Sequence, residues 1–307
     1  MAGLRKKWRV GLVAVLALAA IGVLLYVSRT TEPSFQGRAL SQWLSDIENA
    51  NDDREAEPAR NAVRQIGTNA IPYLLGMMRA KDPRLKQTII NLFGKQHVFR
   101  FRIANSTSKH LHSMLGFEAL GAEASSAIPD LKMLVNNPNA VRFAVAALAH
   151  INPDGVEAAT SGLQSTNAIV RRETAGVLGL MGLVRFRTNA LPADLDLLAA
   201  QADRTVPPLI RALSDSDELT RARAATSLGL LGQKPEVTVP ALIKNLQVTN
   251  SWRVPASAAK GLGRFGKNAA PALPALKAIA AHSNSRVREA ASSAIEAIEA
   301  ESGPRLE

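Results

Sequence analysis

Cysteine is absent from all 307 residues, which excludes disulfide staples, thiolate zinc sites and cysteine nucleophiles and leaves the fold indifferent to the redox state of its compartment. Aromatic residues are nearly as scarce, 4% against 47% apolar residues in all, so a core of large rings is excluded. Abundant alanine and leucine point instead to many small helix contacts in one elongated body. Acidic residues are missing from positions 1–29, which hold five basic ones (Arg5, Lys6, Lys7, Arg9 and Arg29), so only +6 of the formal +11 charge is left to the rest of the chain. Much of the basicity therefore concerns the orientation of the N-terminus.

From Val10 to Val27 every residue is apolar or glycine except Tyr26. At about 1.5 Å per residue this run reaches about 27 Å, close to the bilayer core. Trp8 and Tyr26 stand at its ends, and four of the five basic residues precede it, which predicts a single-pass protein of the cytoplasmic (inner) membrane with its N-terminus inside and its body outside the cytoplasm. A cleaved signal peptide is the runner-up, since Ala17-Leu18-Ala19 resembles a cleavage site, although the cut would strand Ala20–Val27 on the mature chain. A buried core helix is a third reading, and the lack of an amphipathic stripe counts against it. The expected organisation is a basic stretch 1–9, a transmembrane signal-anchor 10–27, a linker 28–36, a folded body 37–301 and a tail 302–307.

The body repeats itself. An aliphatic-Pro step returns as Ile71-Pro72, Ile128-Pro129, Val206-Pro207, Val239-Pro240 and Leu273-Pro274, and proline suits a first helical turn, where its missing N–H has no intrahelical acceptor. Each step is followed by a polar turn and a small-residue helix, as in Asp215-Ser216-Asp217 before Ala224-Ala225-Thr226-Ser227-Leu228-Gly229 and Asn250-Ser251-Trp252-Arg253 before Ala258-Ala259-Lys260-Gly261-Leu262-Gly263. The turns supply N-cap oxygens, and Ala and Gly let a neighbouring helix come close. Intervals of 33 residues from Pro207 to Pro240 and 34 from Pro240 to Pro274 are a solenoid signature, with Val156 near the Pro slot of the unit between Pro129 and Pro207.

These residues resemble short HEAT repeats of the kind also called lyase-like HEAT repeats, over about residues 37–301 and roughly seven units. Gly37-Arg38-Ala39-Leu40-Ser41-Gln42-Trp43-Leu44, followed by Ala62-Val63-Arg64-Gln65-Ile66-Gly67, resembles the opening unit of membrane-tethered bacterial HEAT proteins. The resemblance implies an all-α fold, a right-handed α-α superhelix preceded by one N-terminal transmembrane helix, and a binding scaffold with no cofactor and no catalytic residues. Two segments break the period: a basic insertion at 94–119, with Arg100, Arg102, Lys109, His97, His110 and His112, and a more neutral one at 184–203.

Few residues suggest chemistry. Gly261-Leu262-Gly263-Arg264-Phe265-Gly266 spells the dinucleotide fingerprint, but it follows an Ala-rich helix where that motif needs a strand. The glycines are read as packing and helix-ending positions. His110 and His112 are read as a solvated pair rather than metal ligands, because helical i, i+2 residues point apart and no third ligand is near. The arginines of the Val-Arg step, Arg142, Arg171, Arg221 and Arg288, are read as structural.

Candidates for partner contact are Arg64, Arg172, Arg223, Lys260 and Arg264 on second helices, with Arg100, Arg102 and Lys109 in the insertion. The expectation is a membrane-anchored scaffold for a protein partner or an anionic envelope component. The alternatives are a lyase-like HEAT enzyme acting on a protein-bound prosthetic group and a nucleic-acid-binding helical-repeat protein. The first lacks a convergent acid/base set, and few aromatics argue against the second.

Overall fold

The computed structural model describes residues 32–81, 106–151, 153–182 and 192–302. These residues open with a small antiparallel hairpin, β1 (Ser34–Phe35) and β2 (Arg38–Ala39), with Ser34 opposite Ala39 and Phe35 opposite Arg38. Gln36 and Gly37 join the strands with φ of 50° and 76°, the left-handed pair that a two-residue hairpin requires. Pro33 O accepts a hydrogen bond from Leu40 N (2.9 Å) and Glu32 Oε1 one from Ser41 N (2.5 Å), so these residues cap the first helix. The expected linker 28–36 is corrected accordingly: residues 32–36 belong to the folded body.

Helices then follow in pairs: α1 (Leu40–Asn49) with α2 (Asp53–Ile66), α3 (Ile71–Met78) with α4 (Ser106–Leu120), α5 (Ile128–Val135) with α6 (Val141–Ile151), and α7 (Pro153–Thr160) with α8 (Ala168–Leu180). The C-terminal pairs are α9 (Pro192–Ala212) with α10 (Glu218–Leu231), α11 (Pro235–Asn245) with α12 (Arg253–Gly263), and α13 (Leu273–Ile279) with α14 (Ser285–Ser302). The second helices form one continuous row, α2 against α4 and onward to α12 against α14, and the first helices form the other row. The architecture is an all-helical repeat solenoid.

The second-helix row is built on close backbone approach. A methyl group added to Gly179 would lie 2.6 Å from Ser227 Cα, one on Gly229 2.4 Å from Gly261 Cα, and one on Gly263 3.0 Å from Ala294 Cα. Ser227 Oγ fastens the same seam by donating to Ala175 O at 2.6 Å. The first-helix row is looser and leaves a cleft of about 730 Å³ between α5, α7 and α9. Each unit is therefore a wedge with its narrow side at the second helices. Between the rows runs one core, in which Leu44, Leu74, Leu131, Leu148, Leu178 and Leu228 are fully buried, each contributing about 1.5–3 kcal/mol by burial. The caps follow the polar turns: Asp52, Asn167 and Asp217 accept from the N–H groups of Glu55, Ile169 and Thr220, and Gly232 closes α10 with φ of 59°.

Several expectations are corrected. Pro72, Pro129 and Pro274 stand in the first turns of α3, α5 and α13, but Pro207 and Pro208 lie inside α9 and Pro240 inside α11. Both helices start earlier, at Pro192 and Pro235: α9 is led by a stretch rich in Ala and Leu, and Pro235 itself stands in the first turn of α11. The part of the 184–203 insertion from Pro192 onward is thus an N-terminal extension of α9, and 183–191 lie outside the described residues. Among the described residues no helix is long and apolar enough to cross a membrane. The expected single-pass membrane location is corrected on that finding; the run 10–27 on which it rested lies outside the described residues, as do residues 1–9 and 303–307.

Glycine spacing makes the stability of the seam testable. Gly229→Ala places its methyl group against backbone and is expected to destabilise the protein by about 2–3 kcal/mol. Gly176→Ala meets only the flexible Arg223 side chain, at 3.5 Å, and is expected to be neutral or to stabilise by up to about 1 kcal/mol through helix propensity. Chemical unfolding midpoints of the two variants, falling for the first and not for the second, check both.

Candidate binding face on the second helices

The polar turns and the second helices place most arginines against carbonyls and carboxylates of the protein itself. Arg171 Nη1 donates to Ser165 O (2.9 Å) and Thr166 O (3.2 Å), Arg221 Nη1 to Asp215 O (2.7 Å) and Ser216 O (3.1 Å), and Arg288 Nη1 to His282 O (2.8 Å) and Ser283 O (2.9 Å). The same donor thus ties down the same two carbonyls, six and five residues upstream, in three units. Arg142 departs from the pattern: Asn137 O already accepts from Ala140 N and Val141 N, and Arg142 reaches across to Glu173 at 3.5 Å instead.

Successive second helices are also linked by charge. Arg171 forks onto Asp215 at 2.7 and 2.9 Å, and Arg172 onto Asp217 at 2.7 and 2.6 Å. Asp217 further accepts from Thr220 N (2.8 Å) and Thr220 Oγ1 (2.9 Å). The Arg172 fork, with help from Thr220, holds the Asp217 carboxyl far below the usual carboxylate range against the opposing effect of burial. Burial would raise Asp215, but its bonds with Arg171 and Asp217 N outweigh this and hold it low. Glu173 takes Arg223 at 2.8 Å, Arg223 also donates to Arg172 O at 3.2 Å, and Arg253 pairs with Glu218 at 3.2 Å.

This arrangement divides the sequence-predicted contact residues. Arg64 is tied to Glu57 (2.9 Å) and Ala119 O (3.2 Å); with Arg172 and Arg223 it is engaged inside the protein. Lys109, Lys260 and Arg264 are exposed and form no ion pair among the described residues. Arg100 and Arg102 lie outside the described residues. Lys260 and Arg264 share one strip of α12 with Arg253, and Lys109 is apart from them, lining a cleft of about 510 Å³ with Arg38, Asp46, Tyr73, Met77 and His112. Burial, with the nearby Glu32 carboxylate, pushes the Tyr73 hydroxyl up to about 12.

In the sequence Asp215 and Asp217 read as a capping turn and Arg253 as part of the next one, and their ion pairing, like Glu173 altogether, is missed. For Asp215 and Asp217 the signal is the repeat itself, which sets an acid-x-acid turn one unit beyond the Arg171-Arg172 step. The histidines are corrected: His110 is buried, with Nε2 3.0 Å from Ala80 O, and His112 lies 2.7 Å from Glu48, so they are not a solvated pair. Gly261 and Gly263 lie within α12 and Gly266, with φ of +53°, opens the following 3-10 turn, as packing and helix-ending glycines do.

The Asp217 linkage has a pH signature. A carboxylate held below its unfolded value contributes stability above about pH 4, and that contribution is lost as pH falls toward the folded value. Asp217→Asn, which keeps a cap oxygen but loses the charged fork, is expected to be less stable by about 1–3 kcal/mol at neutral pH. Urea unfolding from pH 7 to pH 3 should show the gap narrowing below about pH 4; a gap of constant size would refute the charge-based account.

Residues 206–299 match the family described as HEAT repeats. Among solved structures, the chain is similar to a designed armadillo repeat protein in complex with the peptide (KR)4, at 17% identity, with 84% of this chain and 99% of that one covered and a TM-score of 0.43. It is also similar to human deoxyhypusine hydroxylase in complex with glycerol (17% identity, 85% and 96% covered, TM-score 0.31). A third is the karyopherin Kap121p bound to the extreme C-terminus of the protein phosphatase Cdc14p (16% identity, 84% and 29% covered, TM-score 0.49). None of the curated proteins matches it. The family match thus covers the last units, and the same stacking of helix pairs continues before them.

Proposed function

We propose that the protein is a scaffold that holds a protein partner along its second-helix row and performs no chemistry of its own. The observation that carries this reading is the α12 strip, where Lys260 and Arg264 stand exposed with no carboxylate partner among the described residues, on a row where Arg171, Arg172, Arg223 and Arg253 are each paired. A protein partner suits the face better than an extended polyanion such as a nucleic acid or an anionic envelope component. Arg64, Arg172 and Arg223 are neutralised at home, so the row offers a local contact rather than a continuous track of positive charge. An enzymatic reading has less to rest on: in the two described clefts the ionisable groups sit on mixed, open surfaces.

Photo-crosslinking amino acids placed in cells at Thr226 and Ser257 on the second-helix row, and at Lys132 and Arg211 on the first-helix row, test this. A discrete protein adduct is expected from the first pair and not from the second. Adducts confined to the first-helix positions, or none from any, would remove the proposal.

A further inference from the structure

We infer that the exposed strip of α12 docks an acidic helical segment of a protein partner, an inference that rests on the scaffold reading above and adds the partner's chemistry to it. α12 is buried along most of its surface and exposes Arg253 and Lys260, with Ser257 half-buried between them, and Arg264 is exposed at its C-cap. These positions run i, i+4, i+7 and i+11 along one face, so the three cations are spread over about 16 Å of helix. Arg286 of α14 adds a fourth at the upper end, where its guanidinium and that of Arg253 lie 4.5 and 4.8 Å from the Trp252 ring.

Lys260 and Arg264 repel each other at i, i+4. Four other cations of the row are compensated by the chain: Arg171 by Asp215, Arg172 by Asp217, Arg223 by Glu173 and Arg253 by Glu218. Only an external carboxylate relieves the pair at the lower end of α12 in the same way.

The occupant's form follows from the spacing. A helix laid antiparallel along α12 has the same rise per residue, so acidic side chains at its own i, i+4 and i+11 meet Arg264, Lys260 and Arg253 in turn. On the neighbouring α10, half-buried Leu219 and Leu230 offer apolar ground for the aliphatic side of such a helix. Nucleic acid fits less well: the ring nearest the strip, Trp252, is engaged by two guanidinium groups and is not free to stack on a base.

The test uses the full chain and a fluorescein-labelled, alanine-based helical peptide with glutamates at i, i+4 and i+11, followed by anisotropy. Binding to the unaltered protein is expected, with affinity falling about tenfold or more in K260E/R264E and by less in K260Q/R264Q. K132E/R204E, with the same change in net charge on the first-helix row, should stay within about twofold of the unaltered protein. No binding by the unaltered protein, or an equal loss in K132E/R204E, overturns the inference. So does a labelled single-stranded oligonucleotide that binds more tightly than the peptide through Lys260 and Arg264. Because all four substituted sites are exposed, circular dichroism melts of the variants are expected to coincide with that of the unaltered protein; where one does not, its K→Q or R→Q counterpart carries the comparison. The scaffold reading is judged apart: a partner trapped from Ser257 and still trapped in K260E/R264E leaves the scaffold standing and removes the acidic segment.

Discussion

The constraint on which the rest depends is how closely the second helices approach one another. Gly179 against Ser227, Gly229 against Gly261 and Gly263 against Ala294 leave no room for a methyl group without movement, so residue size at a few positions sets the distance between units. Dispersion falls steeply with separation, and a seam of touching backbones gains it along the whole row. With one side of each unit pinned this tightly, the first helices must splay, and the cleft between α5, α7 and α9 is the consequence. The scarcity of aromatics is part of the same design, since large rings would hold the helices apart.

Arginine is the second device, and it works at two ranges. Within a unit it fills the carbonyls of the turn that joins first helix to second, as Arg171, Arg221 and Arg288 do. Between units it bridges to the acidic turn of the next, where Asp217 caps α10 and also receives the Arg172 fork. Because one carboxylate serves both purposes, a change in its ionisation is felt by the helix start and by the inter-unit seam together. Partly buried, two-pronged pairs of this kind are worth more than an exposed ion pair, whose contribution is commonly below about 1 kcal/mol.

The repeat was legible because each unit states it separately, and independent copies reinforce one another where a single motif would mislead. The dinucleotide-like string at Gly261–Gly266 is the clearest instance: the neighbouring copies identify those glycines as packing positions, and the structure places them there. Less legible was anything depending on which way a chain enters a helix. Proline opens α3, α5 and α13, yet Pro207 and Pro240 sit inside longer helices, because a proline shows where a first turn is permitted and not where it begins. The first strand of the hairpin, Ser34–Phe35, fell in the expected linker because a strand of two residues is too short to show an alternation. Among the candidate contacts, sequence alone could not divide Arg172 and Arg223 from Lys260 and Arg264. What separates them is a carboxylate one repeat away, which a linear reading meets as an ordinary polar turn.

That division is also what turns a structural inventory into a functional claim. A solenoid needs inter-unit charge pairs for register and can satisfy them internally at every step, so a cation on the row becomes informative only when its structural role is accounted for elsewhere. At α12 that account is complete without Lys260 and Arg264: Arg253 takes Glu218, the seam to α10 is closed by Gly261, and the seam to α14 by Gly263. The two remaining cations form no inter-unit ion pair among the described residues, and their mutual repulsion is set against the favourable interaction of basic groups with the C-terminal end of the helix.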